Sequence, residues 1–162
     1  MHFLENRLPP PIVMAFIASS MAWLQWQQIG TAPLWQWWLG ALFFVVGAVV
    51  VALALRAFAQ HQTTVNPLAP ERATSLVTGG IFARSRNPMY LAMLLWLCAV
   101  AMVGGIGWQW LGPLGFILFI NRFQIIPEER AMDLLFGVDY KAYKATVSRW
   151  LGWRLKTVPA QA

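Results

Sequence analysis

Two stretches of this chain gather its candidate chemistry. One is Arg84-Ser85-Arg86-Asn87-Pro88-Met89-Tyr90; the other runs from Asn121-Arg122 through Pro127-Glu128-Glu129-Arg130 to Phe136-Gly137, Asp139, Tyr140 and Tyr143. Guanidiniums and paired carboxylates are the groups that hold the anionic and cationic ends of a polar ligand. A glutamate in an apolar site, its pKa raised by desolvation, can take a proton from an amine. A carboxylate acceptor is already a nucleophile, and a cation such as Arg122 would be enough to position it. Each stretch also has a plainer structural meaning. Asn87-Pro88 is how a helix starts, a capping side chain followed by a proline whose missing N–H costs nothing in the first turn. Pro127-Glu128-Glu129 places carboxylates at the positive end of a helix dipole. Gly137 reads as a stop and Asp139 as the cap of a further helix. In that helix Tyr143, Val147, Trp150 and Leu151 share a face, with Lys141, Lys144 and Arg149 elsewhere around it, the pattern of an interfacial amphipathic helix.

The elements that must position these groups follow from where charge is missing. All eighteen Asp, Glu, Lys and Arg residues lie in segments 1–7, 56–86 and 122–156, and none in 8–55 or 87–121. A water-soluble fold gives each element a polar face, so this sorting predicts an all-α integral membrane protein. The 59% hydrophobic and 11% charged composition agrees. The 48 residues of 8–55 are too many for one span of about 20 residues. They break at Gly30-Thr31-Ala32-Pro33, giving spans near 12–28 and 34–57. Trp23, Trp26, Trp35, Trp37 and Trp38 crowd that turn as an interfacial belt. Residues 87–121 break at Gly104-Gly105-Ile106-Gly107 into short spans near 88–103 and 108–120.

The expectation is therefore about four transmembrane helices plus cytoplasmic interfacial helices in a single membrane domain, 1–162. Residues 1–60 carry the first two spans, and 61–162 carry a linker, a helical hairpin and C-terminal amphipathic helices. With four spans every Lys and Arg falls on one side, which the positive-inside rule makes cytoplasmic, as in a bacterial inner membrane. The net charge of +6 flanks apolar spans instead of forming a stripe, so it suits membrane lipids and not nucleic acid. Cys98, alone inside an apolar run, packs as a small hydrophobe.

A Gly-Gly turn at 79–80, an Arg-Asn-Pro-X-Tyr helix start, a hydrophobic hairpin, then Glu-Glu and Phe-Gly-X-X-Tyr occur in fixed order over residues 63–149. This ordered set resembles the isoprenylcysteine carboxyl methyltransferase family and its relatives among the phospholipid methyltransferases. The resemblance implies a membrane-embedded methyltransferase without a Rossmann domain, using S-adenosylmethionine and releasing S-adenosylhomocysteine. It implies that Thr74, Ser75, Leu76 and Val77 line the cofactor, with Phe82 where the family often has Tyr. Arg86, Asn87, Pro88, Met89 and Tyr90 match the family's Arg-His-Pro-X-Tyr motif, Asn87 replacing a residue that could titrate. Glu128 and Glu129 match its paired acids, and Arg122 or Gln124 stands nearest the substrate-side Arg. In the roles so implied, Arg122 and Glu129 are the catalytic candidates and the others, with Glu128 and Glu129, hold the cofactor.

The acceptor expected is a lipophilic small molecule or lipidated substrate. A carboxylate is favoured and the amine of a phospholipid is the alternative. A non-catalytic membrane scaffold that keeps only the packing features is the rival from another class. A transporter is disfavoured, because no ionisable group lies inside 8–55 or 87–121.

Overall fold

The computed structural model describes residues 8–61 and 75–152. Among them the regular structure is helical: α1 Pro10–Leu24, α2 Trp26–Ile29, α3 Leu34–His61, α4 Pro88–Gly104, α5 Leu111–Ile120 and α6 Ile126–Thr146. Short 3-10 turns precede α4 and α5, at Gly80–Ala83 and Trp108–Trp110. The four apolar segments expected from the charge gaps are all helices, with ends within a few residues of the expected ones. At 28 residues α3 is about 42 Å long at 1.5 Å per residue, more than the ~30 Å of a bilayer core. It is the one described helix long and apolar enough to cross a membrane by itself; α1 and α4 are shorter apolar helices.

α3 shows how an almost wholly apolar helix chooses a partner. Its outer face leaves Leu42, Phe44, Val45 and Val49 exposed. Its inner face carries Gly40, Gly47 and Ala54, two turns apart, which let α4 approach closely. A Cβ added at Gly40 would lie 3.2 Å from the Ala99 carbonyl oxygen, and one at Gly47 would lie 2.6 Å from the Trp96 Nε1. That same indole N–H donates to the Phe44 carbonyl at 3.1 Å, tying the two helices together. We expect Gly47→Leu to destabilise the protein by about 2 kcal/mol in a detergent melt, as overpacking does. Gly115, with nothing within 4 Å, is the control, and equal effects of Gly115→Leu would contradict this account.

Two buried clusters result. The first joins α1, α4 and α5 through Met21, Tyr90, Met93, Leu97, Phe116 and Ile120. The second joins the end of α3 (Ala54, Ala57) to Val77 and Phe82 of the linker and to Tyr140, Tyr143 and Val147. Glutamines close the end away from the charges. Gln25 Nε2 donates to the Val100 carbonyl at 2.9 Å and Gln109 Nε2 to that of Gly104 at 2.8 Å, serving the C-terminal carbonyls of α4.

Between α5 and α6 the helix does not stop. Asn121–Ile125 forms a π-helical turn that runs straight into α6. Pro127 explains it: a proline inside a helix offers no N–H and crowds the carbonyl four residues earlier, and widening the turn makes room. One expectation holds here and one is corrected. Gly137 does interrupt the helix: at φ 49° and ψ −114° it breaks α6 into two helical stretches, the second folding back on the first. The C-terminal amphipathic face is not interfacial: α6 ends at Thr146, and Tyr143 and Val147 are buried in the second cluster. Trp150 packs against the first cluster, so only Leu151 of that face is exposed.

Candidate active site

The polar site forms where three backbone segments meet. Arg86 N donates to the Ser148 carbonyl at 3.0 Å, and Gly152 N donates to that of Arg84 at 3.1 Å. This strap lays residues 148–152 along 84–86, directly before α4. Asn87 occupies the cap position of α4 but makes no side-chain cap bond. Its Nδ2 instead donates to the Arg149 carbonyl at 2.9 Å, while Ser85 Oγ accepts from Asn87 N at 3.1 Å. The capping expectation for Asn87 is thus replaced by a tie to the C-terminal segment.

Glu129 is the hub. Arg86 Nη1 lies 2.8 Å from its Oε1. Arg149 clasps it from the other side, Nε to Oε1 at 3.0 Å and Nη2 to Oε2 at 2.7 Å. This fork geometry is among the stronger ion-pair arrangements. Arg149 Nη1 reaches Asn121 Oδ1 at 3.5 Å, so the π-helical turn also touches the network. The bond from Glu129 holds the Arg149 pKa above its ordinary value, against the effect of partial burial. The Arg86 side chain is only 6% exposed; its Nη1 is taken up by the Glu129 ion pair, while its Nε has no hydrogen-bond acceptor among the described residues. A buried guanidinium N–H normally finds an acceptor, so this one is open to a ligand.

Next to the hub, the Tyr90 hydroxyl donates to Glu128 Oε1. Burial pushes the Glu128 carboxyl up to about 8; Glu129 adds to the rise, and the hydrogen bond from Tyr90 opposes it. Tyr140 is raised to about 12, by burial first and then by Glu129, with Arg86 acting the other way. Burial likewise raises Tyr143, whose hydroxyl donates to the Phe82 carbonyl at 2.6 Å. Phe82 itself packs edge-on against Phe58, ring centres 5.0 Å apart.

A hollow of about 850 Å³ is lined by Leu76, Thr78, Ala83, Asp139, Ala142, Tyr143, Thr146 and Val147; Arg86, Tyr90, Glu128 and Glu129 are not among its lining residues. Its size suits a small-molecule ligand.

The structure brings Arg86, Asn87, Tyr90, Glu128 and Glu129 into one neighbourhood. Pro88 opens α4, Met89 packs on the second cluster, Val77 is buried in it, and Leu76 lines the hollow. Ser75 begins the described part of the linker, and Thr74 lies outside the described residues. Arg122 lies over the Phe123 ring at 5.4 Å. Gln124 is fully buried and donates to the Leu8 carbonyl at 2.7 Å, anchoring the start of α1. Sequence reading missed Arg149 and Asn121. Asn121 carried a weak signal, as the last uncharged residue before Arg122 and the glutamates; Arg149 carried none.

The described residues thus form a helical chain with one apolar helix of membrane-crossing length and an Arg–Glu–Arg cluster at the helix ends. Residues 35–139 match the model of the phospholipid methyltransferase family, and the chain belongs to that family of membrane methyltransferases. It is 26% identical over 158 residues to a protein-S-isoprenylcysteine O-methyltransferase of Dictyostelium discoideum, which covers 93% of this chain and 63% of that protein. It is also 48% identical over 63 residues, 39% of this chain, to the whole of an uncharacterized protein of Haemophilus influenzae. No solved structure matches.

Proposed function

We propose that this protein is an S-adenosylmethionine-dependent methyltransferase, acting from the cytoplasmic face of a membrane on a lipophilic acceptor. The observation that carries this reading is Arg86, a buried guanidinium held by Glu129 whose Nε meets no acceptor among the described residues. The donor set fits the cofactor. In the hollow the Thr78 and Thr146 hydroxyls and the Asp139 carboxylate suit its hydroxyl and cationic groups, and Leu76 and Val147 offer apolar wall; Arg86, outside that lining, suits its carboxylate. The cofactor supplies an electrophilic methyl group on a sulfonium. In-line transfer needs alignment and dryness more than a protein nucleophile, and those are what the chain's residues provide. Glu129, shared between two guanidiniums, acts by fixing Arg86 in place. Ser75, Val77, Phe82, Asn87, Pro88 and Met89 shape the pocket around it, as their match to the family motif implies.

In this reading α1, α3, α4 and α5 cross the bilayer as one domain, in a bacterial inner membrane. The residues from Arg84 to Arg86 and from Arg122 onward then face the cytoplasm. A carboxylate acceptor remains the favoured one, on the likeness to the Dictyostelium protein's printed activity and on Phe136-Gly137 with Tyr140 and Tyr143. A phospholipid amine is the second reading. What favours it is Glu128, whose raised pKa of about 8 suits a general base.

Calorimetric titration of the detergent-purified protein with S-adenosylhomocysteine tests the proposal. We expect heat and a thermal stabilisation of about 2.7 kcal/mol at a hundredfold excess over Kd, with Arg86→Lys weakening both. No heat and no stabilisation at saturation would rule the enzyme reading out.

A further inference from the structure

The kink in α6 leaves a second apolar face that neither buried cluster uses. Met132 and Phe136 turn inward and pack on the second cluster. Leu134, Leu135 and Val138, from the same turns, point outward, 88%, 44% and 80% exposed. Three large aliphatic side chains clustered at the tip of a hairpin are costly to hold in water. We propose that this tip is a membrane foot, seated among the lipids of the cytoplasmic leaflet. The proposal rests on the membrane-spanning reading of α3.

Depth is the first argument. Trp35, Trp37 and Trp38 mark one end of α3, as an interfacial belt does. Ala54 and Ala57 lie about 20 residues further on, or about 30 Å, which is where the hydrocarbon core of a bilayer ends. Tyr140, three residues beyond the Gly137 kink, packs in one cluster with those two alanines. The tip is therefore held at the level of the inner lipid interface, not out in the cytoplasm. The kink is what makes a tip of it. A straight α6 would carry Val138 and Tyr140 onward from Leu134, whereas the fold-back at Gly137 returns the chain to the second cluster, and the Lys144–Asp133 ion pair at 2.6 Å closes the hairpin.

Charge is the second. Arg130 and Lys141 are exposed on either side of the tip, as expected where an apolar wedge meets anionic headgroups. The exposed acid nearby, Asp139, lines the hollow, and Asp133 is neutralised by Lys144. A foot at this place would also set the hollow against the lipid surface, where a lipophilic acceptor resides.

The test uses the full chain in nanodiscs of mixed zwitterionic and anionic lipid, with Cys98→Ser as background. An environment-sensitive fluorophore is attached at Leu134→Cys, and in a parallel sample at Phe44→Cys on the outer face of α3. We expect lipids spin-labelled near the glycerol end to remove most of the emission at position 134, with iodide in the water having little effect. At position 44, lipids labelled near the chain middle should quench best. If iodide quenches position 134 and the lipids do not, while position 44 is lipid-quenched, the foot is overturned and the span stands. If neither position is lipid-quenched, the span reading falls with it. Cross-linking between copies through Leu134→Cys without lipid quenching would assign the face to a second copy and also overturn the proposal. Leu134 is almost fully exposed, so labelling there leaves the packing intact, which an unchanged melt confirms.

Discussion

Glu129→Gln is expected to cost the protein about 3 kcal/mol of stability and about a hundredfold in methyl transfer, measured in detergent on the fraction that remains folded. The change keeps the shape and removes the charge, leaving Arg86 and Arg149 facing each other with no anion between them. Arginine cannot shed its proton to escape. Arg86, 6% exposed, bears the larger share; Arg149, a third exposed, is partly relieved by water, which puts the expected loss at the low end for a broken buried pair. Turnover falls because Arg86 loses the group that fixes it. The double change Glu129→Gln with Arg149→Gln separates the two effects. Removing the second cation should return about 1 kcal/mol of stability and none of the turnover. Strictly additive stability losses, or full turnover in the single variant, would show that Glu129 does not work as a hub.

The distribution of charge made most of this architecture readable before any coordinates. Helices within residues 8–55 and 87–121 follow from the absence of charge and from the Gly30–Pro33 and Gly104–Gly107 breaks, because apolar segments in lipid must satisfy their own backbone. Arg86, Asn87, Tyr90, Glu128 and Glu129 were legible as a set only through the resemblance of their ordered motifs to a known family; taken singly, Asn87-Pro88 and Pro127-Glu128-Glu129 read as ordinary helix starts. Arg149 was not legible, because its place depends on the strap between 84–86 and 148–152, a pairing of segments some sixty residues apart with no local signature. The reading of Tyr143 and Val147 as interfacial failed for a related reason. Helical spacing shows that residues share a face, and says nothing of whether that face meets lipid or Phe82. The π-helical turn was hidden too: Pro127 suggested a helix start, and only α5 running on into α6 shows that the same proline sits inside a continuous helix.

Glu128 offers the sharpest prediction about the acceptor, because its titration falls within an accessible range. Its carboxyl is held at about 8 in the folded protein, against an ordinary value of 4.5. A raised carboxyl pKa means that the folded state binds the proton more tightly than the unfolded chain does. The stability it contributes is therefore fully present below pH 4.5 and is lost as pH rises through about 8. Within that window the protein should lose up to about 1.4 kcal/mol per pH unit, and Glu128→Gln, which stays neutral throughout, should flatten the slope. Melts at closely spaced pH values check this; an unchanged slope in the variant would assign the dependence elsewhere. The same titration divides the two acceptor classes. If the acceptor is an amine, the ionised carboxylate is the useful form, so turnover should climb toward pH 8, and Glu128→Gln should remove that climb and about a hundredfold of rate, as loss of a general base does. If the acceptor is a carboxylate, no proton need be removed. Protonated Glu128 then serves as a neutral neighbour that does not repel the incoming anion, and turnover should fall as pH passes 8 while Glu128→Gln stays active and loses the fall. The direction of the pH profile, compared between the wild type and this one variant, thus reads the charge of the acceptor.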